Sequence, residues 1–149
     1  MHYEAWQFLS RFATTEPISI LDIGGRNLNM EVQGYRLRDL FPIAKIDVLD
    51  ILPGPEVTIL ADATNWTPTT TYDLVICMEV FEHVRNWRAI VNTAFLATKD
   101  LGRFITSCAA VGRKPHSGIM DGPLMSGEYY GNIRSVELQN ALYSAGFKT

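Results

Sequence analysis

The sequence predicts an α/β domain built on a doubly wound, mainly parallel sheet. Three observations carry that expectation. Apolar, strand-like runs alternate with helix-periodic runs along the chain, the order that a parallel sheet with crossover helices requires. The run Asp73-Leu74-Val75-Ile76-Cys77 is almost unbroken apolar, as a strand covered on both faces must be. The segment 18–23 carries Asp22 at its end and opens into Gly24 and Gly25, where a backbone without Cβ turns sharply and approaches a ligand closely. Right-handed crossovers give five such strands the order 3-2-1-4-5. At 149 residues the chain reads as a single domain, 1–149.

Each element has its own signal. Ala5, Leu9 and Phe12 recur at helical spacing over 3–13, and Pro17 bars continuation. Strand one is 18–23. Leu37, Leu40 and Phe41 suggest a helix over about 35–41, ended by Pro42, with Asn27, Asn29 and Gly34 in an irregular lead-in. Strand two runs over 45–49 and closes on Asp50. After Pro53-Gly54-Pro55, strand three runs over 57–61 and closes on Asp62. Strand four is 73–77. A helix over about 87–98 puts Trp87, Ile90, Val91, Ala94 and Phe95 on one face. A turn at Asp100-Leu101-Gly102 leads to strand five, 103–108. The next 24 residues, 109–132, have no periodicity and hold five glycines and two prolines. A loop that long inside one domain is usually functional. Ser135 is the expected N-cap of a last helix, with Leu138, Ala141, Leu142 and Ala145 inward and Gly146 as its stop. Phe147-Lys148-Thr149 has the character of a strand beginning.

Composition narrows the function. Net charge is −3, so no strong field recruits nucleic acid or an anionic membrane. No apolar run is long enough to span a bilayer, and the first residues lack a signal-peptide pattern. Cys77 and Cys108 sit in apolar runs and read as buried free thiols in a reducing, cytoplasmic compartment. Their spacing fits no zinc motif, and no metal is expected.

Three strand ends offer an acid: Asp22, Asp50 and Asp62. Ligands of open α/β sheets bind at the carboxyl ends of the strands, where the strand order reverses. Asp50 stands about where a strand-two carboxylate grips ribose hydroxyls. Asp62, one strand further out, could accept from an adenine amino group, with Ala63 lending backbone contacts.

These segments resemble the class I S-adenosylmethionine-dependent methyltransferases, in the short form of their methyltransferase-11/UbiE-like branch. The resemblance lies in Ile20-Leu21-Asp22-Ile23-Gly24-Gly25, Val48-Leu49-Asp50-Ile51 and Leu60-Ala61-Asp62-Ala63. A fourth segment, Asp73 to Val84, has a Glu82-His83 pair opening the next helix. Leu101-Gly102-Arg103-Phe104-Ile105 and Leu142 to Phe147 add to it. It implies a Rossmann-like fold and S-adenosylmethionine as cofactor, with S-adenosylhomocysteine as product. It also implies that Asp22, Gly24, Gly25, Arg26, Asp50, Ile51, Asp62, Ala63, Met78 and Glu79 contact the cofactor. The family's loop has two further glycines where this chain has Arg26 and Leu28. Its core closes with two more strands, which this chain ends too soon to form, so the strand-five edge is bare or covered by a second copy.

The implied reaction is direct displacement onto an oxygen or nitrogen of a small-molecule acceptor. His116 and His83 are the candidate bases. The 109–132 loop, with His116, Asp121, Glu128, Tyr129 and Tyr130, is the expected substrate wall or lid. The alternative is a catalytically silent cofactor-binding or scaffold protein of the same fold. A dinucleotide dehydrogenase fails on its G-x-G-x-x-G requirement.

Overall fold

The computed structural model describes residues 3–26, 36–120 and 122–148. Five strands form one sheet: β1 (Ser19–Ile23), β2 (Lys45–Asp50), β3 (Ile59–Leu60), β4 (Tyr72–Met78) and β5 (Thr98–Ser107). Their order is β3-β2-β1-β4-β5, and every neighbouring pair is parallel. Both the doubly wound architecture and the strand order match the expectation from sequence.

Period-two alternation sorts the apolar residues onto two faces. Ile20, Ile46, Val48, Leu74, Ile76 and Met78 pack with Ala5 and Leu9 of α1 (Tyr3–Leu9) and with Leu40 of α2 (Leu37–Leu40). Leu21, Ile23, Leu49, Val75 and Cys77 pack with α3 (Trp87–Ala97) and with Ala141 of α4 (Ser135–Ala145). Burial on both faces is why the strands read as continuous apolar runs. No helix among the described residues is long and apolar enough to cross a membrane.

Several expectations are corrected. The first helix stops at Leu9 and tightens into a 3-10 turn, Ser10–Phe12. The second helix keeps only four residues, and the lead-in Asn27, Leu28, Asn29 and Gly34 lies outside the described residues. β3 shrinks to two residues because it pairs only with the end of β2, Leu49 with Ile59 and Asp50 with Leu60. β5 starts at Thr98, directly after α3. The expected turn at 100–102 survives as an excursion inside it, between the pairs Tyr72–Thr98 and Leu74–Arg103, with Leu101 at φ 65°. Phe95 is 40% exposed, and its ring edge meets Phe147 at 5.2 Å. Glu82-His83 forms a separate 3-10 turn, Phe81–His83, ahead of α3. The N-cap of α4 is Arg134. Glu137 accepts from the Arg134 amide and guanidinium, both at 3.1 Å. Gly146 ends α4 at φ 111°, as expected. Phe147 and Lys148 are not in a strand, and Thr149 lies outside the described residues. Both cysteines are free, Cys77 buried and Cys108 half-buried.

The sheet's two-sided burial sets a clear contrast. Leu21→Ala, at a fully buried position, is expected to cost about 2–5 kcal/mol. Leu101→Ala, at a fully exposed one, is expected to change stability by less than about 0.5 kcal/mol. Urea denaturation of the two variants checks both.

Candidate active site

The site begins at the turn after β1. The Gly24 amide donates to the Leu49 carbonyl at 2.7 Å, and Gly24 takes φ 74°, where side-chain-bearing residues are strained. A Cβ there would collide with Val80, and one on Gly25 would collide with the Asp22 carboxylate. Gly24 thus lets the turns after β1 and β4 close against each other, and Gly25 makes room for the Asp22 carboxylate. Beside them a cavity of about 780 Å³ opens, a volume usual for small-molecule sites.

Gly24, Arg26, Asp50, Ile51, Asp62, Ala63, Glu79 and His83 all line this cavity. Asp22, Gly25 and Met78 do not. They line a smaller hollow of about 70 Å³, which shares Gly24 and Arg26 with the large one. Asp22 is buried, with its carboxylate tucked beneath Gly25. His116 lines neither hollow, yet its ring lies 5.0 Å from that of His83.

Asp50 is braced at the end of β2. Its carboxylate accepts from the Leu52 amide at 2.9 Å and the Arg26 amide at 3.2 Å. A carboxylate has about four acceptor positions, so two remain for a pair of ligand hydroxyls. The Arg26 Nε is 3.9 Å from the same carboxylate, and its Nη2 donates to the Ile119 carbonyl at 3.4 Å. Arg26 therefore ties the acid of β2 to the long loop. Gly54 makes room for its stem, since a Cβ there would lie 2.7 Å from the Arg26 Cγ. Asp62 accepts from the Thr64 amide and hydroxyl through one oxygen, both at 2.8 Å. Trp66 is packed into the core instead of bordering the cavity.

On the other wall, Glu79 sits at φ 58° with its amide bonded to the Ser107 carbonyl at 2.8 Å. A non-glycine residue held in this region commonly marks a functional site. Burial pushes the Asp22 carboxyl up to about 7, with the charges of Asp50 and Glu56 acting in the same direction. Burial also holds the His83 imidazole down at about 4, with the His116 charge adding to the effect. A group that binds protons so weakly is poorly matched to general-base work near neutral pH.

The long loop is a wall. Ile119, Met125, Glu128 and Tyr129 line the cavity. Asp121 lies outside the described residues. Glu128 binds the loop together, accepting from the Ser117 hydroxyl at 2.8 Å and from the amides of Met125, Gly118 and Ile119 at 2.7, 3.1 and 3.2 Å. Those donors hold its carboxyl below the usual range. At the loop's base, Asn132 donates to the carbonyls of Ala110 and Arg113.

Sequence reasoning assigns no role in the site to Arg85 or Glu82. Arg85 lines the cavity with its guanidinium 4.5 Å from the centre of the Tyr129 ring. Glu82 is fully buried beneath the loop. Ligand atoms of Glu82, His83 and His116 lie within 4.8 Å of one another, a grouping the expectation of no metal did not foresee. The available signal was the Glu82-His83 pair so soon after a central strand.

A family model described as a methyltransferase domain matches residues 1–149. Among solved structures, the chain is similar to 1,6-didemethyltoxoflavin-N1-methyltransferase of Burkholderia thailandensis, crystallised with 1,6-didemethyltoxoflavin and S-adenosylhomocysteine. The identity is 14%, the match covers 98% of this chain and 67% of that one, and the TM-score is 0.68. It is also similar to an S-adenosylmethionine-dependent methyltransferase of Mesorhizobium loti, at 18% identity, 96% and 80% coverage and TM-score 0.67. The N-methyltransferase NodS of Bradyrhizobium japonicum gives 16% identity, 72% and 67% coverage and TM-score 0.54. At these identities the likeness is one of fold. No curated protein matches the sequence significantly.

Two outcomes follow from the site's electrostatics. The Asp22 pKa is higher folded than unfolded, so the native state holds the extra proton between about pH 4 and pH 7. Stability contributed by this group is present at the acid end and lost as pH rises through that window. Asp22→Asn is therefore expected to shrink the fall in Tm between pH 5 and pH 8, measured by thermal melts. Glu128→Gln is expected to speed limited proteolysis between residues 110 and 130 while leaving the far-UV spectrum unchanged.

Proposed function

The chain belongs to the methyltransferase domain family, and from that premise we propose that it transfers a methyl group from S-adenosylmethionine to an oxygen or nitrogen of a small-molecule acceptor. The observation that carries this reading is the single cavity shared by Asp50, Asp62 and His83 at the carboxyl ends of the parallel strands. The acids lie on the β2–β3 side and the histidine on the β4 side, so one cavity offers a nucleoside end and an acceptor end.

The residues fit the cofactor. Asp50 retains two acceptor positions for the ribose hydroxyls, each charge-assisted bond being worth about 1.5–3 kcal/mol. Asp62 and Ala63 stand where the base would lie, and Ile51 flanks it. Gly24 leaves the wall bare at the turn, with Arg26 and Glu79 beside it. Asp22, Gly25 and Met78 act from behind that wall, shaping the turn from the smaller hollow. Bound S-adenosylmethionine supplies a methyl group already activated by its sulfonium. The protein's task is then alignment, which can supply about 7–11 kcal/mol. The loop that Glu128 binds together covers the acceptor end and excludes water. His83 lines the acceptor end and orients the reacting atom, and His116 beside it takes the proton.

The free thiols fit work in the cytoplasm. The β5 edge has no further strand paired to it among the described residues, and it is where a second copy would pair.

Calorimetric titration with S-adenosylhomocysteine tests the reading. Binding is expected, and Asp50→Ala is expected to weaken it about tenfold or more, the loss of one to two charged hydrogen bonds. No heat at millimolar ligand would end the proposal.

A further inference from the structure

The grouping beneath the loop carries a second reading. Glu82 is fully buried, and neither carboxylate oxygen has a hydrogen-bond partner. Its own amide and that of Ala109 lie near enough to temper its proton affinity, but neither bonds to it. An unpaired buried carboxylate costs several kcal/mol, so an interior keeps it protonated or gives it a cation. No lysine or arginine pairs with it among the described residues.

The two imidazoles beside it are prepared as ligands. The His83 Nδ1 is also buried without a partner. Gly118 lies flat against that ring, since a Cβ there would come within 2.7 Å of the His83 Cγ. The His116 Nδ1 is 3.2 Å from the Lys114 carbonyl. A proton donated there leaves the lone pair on Nε2, the second-shell arrangement of metal-binding histidines. The Tyr130 ring stands 5.0 Å from His116 and 5.6 Å from His83, and its buried hydroxyl has no partner either.

We propose that Glu82, His83 and His116 form the site of one divalent transition-metal ion beside the large cavity, with coordination positions left open toward a bound acceptor. The three ligand atoms lie within 4.8 Å of one another. Ligand atoms about 2.0–2.2 Å from one tetrahedral ion lie about 3.3–3.6 Å apart, so closure draws the widest pair in by up to about 1.5 Å. Two imidazoles and one carboxylate suit zinc, manganese, iron or cobalt better than calcium or magnesium. Three protein ligands leave the site open, as in catalytic rather than structural centres. An acceptor hydroxyl ligated there releases its proton to water more readily. That role rests on the methyltransferase reading, whereas the metal site itself does not.

The test titrates the full chain, stripped with chelator, with Co²⁺ and Zn²⁺ by calorimetry and visible absorption. One Co²⁺ per chain is expected, with ligand-field bands and an affinity that falls about tenfold or more in His116→Ala and Glu82→Gln. His116 lies on the loop, so His116→Ala decides the matter where Glu82→Gln does not fold. Failure of the wild-type chain to bind either ion at millimolar concentration overturns the proposal, as does unchanged binding in the variants. A parallel S-adenosylhomocysteine titration separates the two readings. Nucleoside binding without metal binding overturns this proposal alone, and metal binding without nucleoside binding overturns the function proposed above while leaving the ion's site in place.

Discussion

The structure depends on a steric condition at one turn. β1 lies in the middle of the sheet, between β2 and β4, and the helices that follow β1 and β4 pack on opposite faces. The chain must therefore reverse direction at the end of β1 while the turn after β4 presses against it through Val80. Only a backbone free of side chains passes, which Gly24 supplies together with its left-handed conformation. The amide bond from Gly24 to Leu49 then fixes the depth of the reversal against β2. With the turn drawn down, the carboxyl ends of β1, β2 and β4 stand around an open hollow.

Around that hollow the chain spends its polar groups unevenly. The acids of β2 and β3 are satisfied locally, by the amides of Leu52 and Arg26 and by Thr64, and are held in fixed orientation before any ligand arrives. Such fixed orientation lowers the cost of binding. On the β4 side the polar atoms of Glu82, His83 and Tyr130 are buried without partners. Buried polar groups in proteins are nearly always bonded, so each orphan calls for an explanation. One side of the cavity is complete within the protein and the other is completed from outside.

The parts of the fold legible in the sequence are those whose burial is two-sided. β1, β2 and β4 announce themselves as apolar runs, and the alternation of elements orders the sheet. β3 is shorter than its apolar pattern because the pattern does not reveal that only two of its residues find a partner on β2. β5 is longer than its pattern because α3 passes into it without an intervening loop, and no breaker marks that junction. In the site, Asp50 and Asp62 were legible because a strand-end acid next to a turn is a local pattern. Asp22 has the same local pattern, but it is buried beneath Gly25 and faces the smaller hollow, a placement set by how the turn folds over it. The role of Glu82 is not legible because its burial is made by distant residues, the loop laid over it and the bond from the Gly131 amide to its carbonyl.

The long loop is stitched to itself more than to the sheet. Glu128 gathers donors from residues 117–125, and Asn132 clasps the strand exit at Ala110 and Arg113. Its shape is thus written within its own residues, and the scaffold beneath need only offer two anchor points. An insert of this kind behaves as an interchangeable cassette. Selection could exchange it for another of different contour and reshape that wall of the cavity while the strand-end acids stay untouched.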